Sequence, residues 1–275
     1  MGRAGNRTER DTVSLDEFER LIVSLNEGAP EKPNLLFYGD SNAGKTHLTS
    51  TYPHKALWLV CEPGYKVAQR QGAKGFARRI SDSATALAAL DWLHQGNRAE
   101  SIPAIIVDGL STMENKIRLG YTAEAFDRSP PQQRARAHRN LPDRPDYFNT
   151  QNFIKSWIGA LVDLPPTLII TAHAYRTDRT DNGELLVFPG IQGKVNEVAN
   201  AISGLMDVVG YMECRRVKNT EGKSRERRRL WLSQPPNPDV RYIVGDKFGT
   251  LGPYMDNPTI PRIFERIGAY ADANS

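Results

Sequence analysis

The stretch "GDSNAGKT" (residues 39–46) sets two glycines and a Lys-Thr pair at the spacing G-x-x-x-x-G-K-[ST]. These residue types at this spacing make a phosphate cradle. Glycines let the backbone curl so that its N–H groups point inward, and the helix that follows adds positive potential at its N-terminus. Gly39, Asp40, Ser41, Asn42, Ala43, Gly44, Lys45, Thr46 and His47 are therefore expected to hold a nucleotide. Lys45 would reach the β- and γ-phosphates of ATP, and Thr46 would hold Mg²⁺.

Three more chemically able residues close apolar runs. Asp108 ends "AIIVDG" and is expected to support the Mg²⁺ shell. Glu62 ends "LWLVCEPG", where a carboxylate could orient or deprotonate the water that attacks the γ-phosphate. Glu114, six residues beyond Asp108, is the rival base. His173 ends "LIITAH" and stands where it could sense the γ-phosphate and signal to the segment behind it. That segment, "RTDRTDNGELLVFPGIQGK" (176–194), carries Arg176, Arg179 and Lys194 among three glycines.

The elements that must position these residues alternate. Residues 34–38, 55–64, 102–111 and 166–174 read as buried strands, and helical patterns follow Lys45 and span 80–96 and 150–164. Buried strands alternating with helices predict a doubly wound, mostly parallel α/β sheet. Beyond residue 180 the pattern turns to hairpins, and residues 205–250 are expected to extend the sheet with antiparallel strands. Residues 1–30 read as a polar tail and a capped helix over 14–26, ahead of one core domain, 31–275. Residues 115–149 fit neither pattern: six arginines between Arg118 and Arg144 stand among four prolines, which reads as an insertion.

Bulk properties bound the rest. The 275 residues are 39% hydrophobic and 25% charged, an ordinary globular composition. No apolar run reaches membrane-spanning length, and the opening "MGRAGNRTERDT" does not read as a secretory leader. A cytoplasmic protein without a membrane partner is expected. The two cysteines, Cys61 and Cys214, are expected to be reduced and buried. The net charge of +4 permits a polyanionic partner, and "RRVKNTEGKSRERRR" (215–229) is dense enough in arginine to suit a phosphate backbone.

With these residues placed, the chain resembles the RecA-like ATPases of bacteriophages, in particular the phage nucleotide-binding proteins that act as single-strand annealing recombinases. The resemblance spans roughly residues 33–265. It rests on "LLFYGDSNAGKTHL", "LWLVCEPG", "AIIVDGLSTM", "LIITAHA", "FPGIQGKVNEVANAISGLMDVVGYM" and "VRYIVGDKFGTLG". It implies a RecA core that binds single-stranded DNA in an ATP-dependent manner as a homo-oligomer, ring or filament, in the cytoplasm of an infected bacterium. A phage or host single-strand-binding protein is a further partner it allows.

The resemblance favours Glu62 as the water-activating residue. It gives Lys247, in "GDKFG", the role of a cation reaching a neighbour's γ-phosphate, with Gly245 standing where a second cation is usual. It sets DNA on the segments after Asp108 and His173. Arg134, Arg136 and Arg139 with Tyr147 and Phe148, and Tyr175, Arg176, Arg179 and Lys194, are the candidates there. Two alternatives use the same core: a helicase-like oligomeric motor, and a nucleotide switch or small-molecule kinase that does not act on DNA.

Overall fold

Apolar runs build the centre of a sheet. The computed structural model describes residues 32–130, 138–177, 183–192, 197–218 and 224–269. The chain divides into two units, Met1–Glu31 and Lys32–Ser275, and every described residue belongs to the second. The helix expected over 14–26 lies outside the described residues.

The strands are β1 (Leu35–Gly39), β2 (Ala56–Val60), β3 (Gly75–Arg79), β4 (Ala104–Asp108), β5 (Thr167–Arg176), β6 (Leu185–Pro189), β7 (Val208–Lys218), β8 (Ser224–Trp231), β9 (Val240–Tyr242), β10 (Gly245–Asp246) and β11 (Tyr254–Asp256). The helices are α1 (Lys45–Ser50), α2 (Tyr65–Arg70), α3 (Ser83–His94), α4 (Leu110–Arg128), α5 (Arg144–Val162), α6 (Glu197–Leu205) and α7 (Ile260–Ile267). Across the main sheet the order is β11-β8-β7-β1-β5-β4-β2-β3. From β7 to β3 every pairing is parallel, and β8, β10 and β11 join antiparallel. The architecture is the expected doubly wound, mostly parallel α/β sheet extended by antiparallel C-terminal strands.

Alternation along the strands builds two cores. Leu36, Tyr38, Leu59, Ile105, Val107 and Ile170 face α3, α4, α5 and α6, where Trp157 donates its indole N–H to Ala86 O at 2.9 Å. Leu35, Phe37, Trp58, Ile106 and Ile169 face α1 and α7. Both faces are covered, so β1, β2 and β4 are buried at every position. No helix among the described residues is long and apolar enough to cross a membrane.

Register carries the function. Gly39 pairs with His173 across β1 and β5, Asp108 with Thr171 across β4 and β5, and Val60 with Asp108 across β2 and β4. The carboxyl ends of these strands therefore form one edge, the place where open α/β sheets bind ligands.

Several expectations need amendment. The described part of 115–149 is largely helical: α4 runs on to Arg128, and α5 begins at Arg144 behind an Asp143 cap with Pro145 in its first turn. Residues Val208 to Met212 of β7 lie parallel to β1, and the antiparallel pairing begins with β8. Off the main row of strands, β6 is antiparallel to β5 but parallel to β9. Cys214 is exposed rather than buried: it shares the face of Met212, but it lies two residues beyond the last pairing with β1, where β7 continues only as a hairpin with β8.

Candidate nucleotide site

The loop between β1 and α1 curls through two left-handed residues, Asn42 (φ 65°) and Gly44 (φ 97°). Gly39 has a different task from the curl expected of it. It ends β1, where a side chain would collide with the Met212 carbonyl of β7. Lys45 donates from Nζ to Gly39 O and Asp40 O, both at 2.9 Å. Burial depresses its pKa, while Glu62, Asp108 and Asp40 oppose that effect.

Thr46 and Asp108 meet as expected. Thr46 donates from Oγ1 to Asp108 Oδ1 and Oδ2 at 3.1 and 3.3 Å. Thr171 donates to Oδ1 at 2.8 Å and accepts from the Gly109 N–H at 2.9 Å, which fixes the carboxylate. Burial pushes the Asp108 pKa up. Gly64 leaves open the space beside this pair: a Cβ there would lie 3.5 Å from Thr46 Oγ1 and 3.6 Å from Asp108 Oδ2. One hydroxyl and one carboxylate fit Mg²⁺, which keeps most of its waters and takes phosphate oxygens as further ligands. No group of three or more His, Cys, Asp or Glu side chains suited to a metal occurs among the described residues.

Glu62 lies beside this pair. Its Oε1 accepts from Thr112 Oγ1 at 2.6 Å and lies 3.0 Å from His173 Nε2. The His173 bond, then Thr112, holds its carboxyl below the usual range against the opposing effect of burial. It is therefore ionised at neutral pH. Gly109 makes the approach possible. Its φ is +96°, and a Cβ there would fall 2.7 Å from Glu62 Cγ and 2.8 Å from Cδ and Oε1.

Glu114, the rival base, is buried with both oxygens 3.0 Å from the Gln192 N–H. Burial raises its pKa to about 7. It fastens the segment after β6 and makes no contact with Lys45, Thr46 or Asp108 among the hydrogen bonds of the described residues.

His173 is tied into the same region. Its N–H donates to Ser111 Oγ at 2.9 Å, and its carbonyl accepts from the Gly190 N–H at 2.6 Å. Two residues on, Tyr175 is 57% exposed and stands edge-on to Phe188 at 5.4 Å. Arg176 turns back to the phosphate loop, donating to Asp40 Oδ1 and Oδ2 at 2.9 and 2.7 Å.

The remaining expected residues scatter. Arg139 pairs with Asp127 at 2.7 Å on the surface, and Phe148 is exposed. Arg118 stacks over Tyr147, 4.8 Å from the ring centre. Arg134, Arg136, Arg179 and Lys194 lie outside the described residues. Lys247 follows β10, whose Asp246 pairs with Val208, which in turn pairs with Leu35 at the start of β1. It stands at the opposite edge of the sheet from Lys45 and contacts Gly204 O and Asp207. Thr112, Gly109 and Thr171 act in the site without having been expected. The signal for Thr171 was its place two residues before His173, on a strand of alternating faces.

The sequence model of the family described as "AAA domain" matches residues 31–239. No curated protein matches the chain in sequence. Among solved structures, the flagellar accessory protein FlaH from Methanocaldococcus jannaschii is similar at 10% identity and a TM-score of 0.39, over 74% of this chain and 79% of that one. The chain belongs to the AAA domain family and is a P-loop ATPase.

Proposed function

We propose that this ATPase binds single-stranded DNA under the control of ATP and acts in recombination as an annealing protein. One continuous strand carries the reading. β5 holds His173 against Glu62 and, two residues later, presents the exposed ring of Tyr175. A change at the γ-phosphate that moves His173 would move an aromatic surface of the kind on which bases stack.

The chain's own groups supply the hydrolytic chemistry. Lys45 would neutralise charge on the phosphates, and Thr46 and Asp108 would hold Mg²⁺, which supplies stabilisation of charge on the transferring phosphoryl group. Glu62 takes a proton from the attacking water. Both of its described contacts fall on Oε1, which leaves Oε2 for that water. Lys247, remote from its own phosphate loop, would serve a neighbouring subunit, so a ring or filament belongs to the same reading.

The test is ATP hydrolysis with and without single-stranded DNA over a salt series. DNA should stimulate turnover, binding should weaken steeply with salt, and Lys45→Ala should abolish turnover. Hydrolysis indifferent to DNA, with no binding at low salt, would sink the DNA half of the reading. AAA membership favours a second reading, an oligomeric motor on the same core. That reading predicts ATP-driven strand unwinding, which an annealing protein lacks.

A further inference from the structure

Arg228 sits where none of the nucleotide chemistry above calls on it. It belongs to β8, paired with Cys214 of β7 and two residues before Leu230. Strand alternation therefore puts it on the face of Leu230, which packs in the same core as Ala43 and Leu48 at the phosphate loop and α1. Its side chain lies on the loop itself. A Cβ built on Gly44 would come 2.6 Å from both Cδ and Nε of Arg228. Gly44 is thus required twice, for its left-handed φ of 97° and for the room Arg228 occupies.

The neighbouring arginines are satisfied and Arg228 is not. Asp256 accepts from Arg229 Nε at 2.8 Å and lies 3.6 Å from Arg227 Nη1. Arg228 has no carboxylate partner among the described residues, and its Nε is buried with no hydrogen-bond acceptor. Its backbone is nevertheless pinned: its N–H donates to Asn257 Oδ1 at 3.3 Å, and its carbonyl accepts from the Asn257 N–H at 2.7 Å. A buried guanidinium donor without an acceptor is costly, and native structures rarely tolerate one without a reason. The reason lies next to it, a loop whose amides gather the α- and β-phosphates of a nucleotide. The positive charge of Arg228 also reaches His47, whose pKa is depressed by burial first and by Arg228 second.

We propose that Arg228 is a same-chain ligand of the nucleotide's α/β-phosphates, reaching the loop from the β7–β8 hairpin while Lys45 serves the phosphates beyond. The inference rests on the nucleotide-binding reading of the loop. It gives the basic hairpin its own contact with bound nucleotide, independent of His173. Because the contact is to phosphates that ATP and ADP share, Arg228 sets affinity for both and does not distinguish them.

The experiment titrates ADP and a non-hydrolysable ATP analogue, each with Mg²⁺, into the full chain, Arg228→Ala, Arg228→Lys and Lys45→Ala, with thermal melting in parallel. Arg228→Ala should lose about tenfold in affinity for both nucleotides, the scale of one charge-assisted hydrogen bond. Arg228→Lys should recover part of the loss. Without nucleotide, Arg228→Ala should melt at or above the parent, because a buried Nε donor without an acceptor has been removed. Unchanged affinity in Arg228→Ala overturns the inference. So does a loss accompanied by lower melting without nucleotide, which marks a support for the loop. A parent chain that binds neither nucleotide, or Lys45→Ala that binds as the parent does, overturns the reading of the loop instead.

Discussion

Glu62 Oε1 lies 3.0 Å from His173 Nε2, so the carboxylate suited to activate water and the residue suited to report on phosphate are in direct contact. Any movement of one is felt by the other. Thr112 holds the same oxygen from α4, so the carboxylate is steered from two elements at once.

Replacing this carboxylate by its neutral isostere separates binding from chemistry. Glu62→Gln should bind nucleotide like the parent and hydrolyse ATP about 10²- to 10⁴-fold more slowly, the range of a lost general base. Single-turnover hydrolysis beside equilibrium nucleotide titration measures both. A comparable loss in Glu114→Gln instead would move the base to Glu114.

Gly109 should be as sensitive as a residue that does chemistry. Gly109→Ala forces a Cβ to within 2.7 Å of Glu62 and strains a left-handed backbone. Turnover should fall with nucleotide affinity kept, and stability should drop by about 1–2 kcal/mol. Retained turnover would show that Glu62 need not sit where it does.

Glu114 predicts a pH effect on stability. Its carboxyl rises from 4.5 to about 7 in the fold, chiefly by burial, with the Gln192 N–H and the Arg118 charge opposing. The folded state therefore binds more protons than the unfolded state between those values, and stability falls as pH rises through that window. Glu114→Gln, which can still accept from Gln192, should remove this slope and gain up to about 3 kcal/mol over the parent at pH 8 relative to pH 4. Chemical denaturation at the two pH values measures it, and parallel curves for parent and variant would contradict it.

The Asp40–Arg176 pair is bidentate but roughly half exposed on both sides. A double-mutant cycle on thermal stability should give a coupling of about 1 kcal/mol or less. The same cycle on ATP hydrolysis should give a larger one, since the pair joins the phosphate loop to the strand of His173 and Tyr175. A coupling confined to stability would make it a surface ion pair and nothing more.

The phosphate loop, Glu62, Asp108 and His173 were legible because each closes a buried apolar run, and buried parallel strands deliver their last residues to one edge. Other features had no such signal. Gly109 reads as a turn glycine until Glu62 is seen against it. The helix α4 was hidden because its second half is polar and carries Gly120, so it resembles a loop, and because only a few positions such as Met113, Ile117 and Thr122 are buried. Arg228 was one arginine among many, and only the pairing of β8 with β7 carries it over Gly44. The strand β3 was invisible because all five of its residues are exposed, so it shows no alternation.

That last strand has a bearing on how the chain survives in solution. β3 ends the row of strands, so among the described residues one side of its backbone offers unpaired amides and carbonyls beside Phe76, 73% exposed. Such a border invites another chain to add itself, the first step toward a precipitate. Its last two residues, Arg78 and Arg79, put like charges on every copy and so make stacking repulsive. On this account the two arginines are gatekeepers of colloidal behaviour, and they protect the chain at a distance from the chemistry it performs.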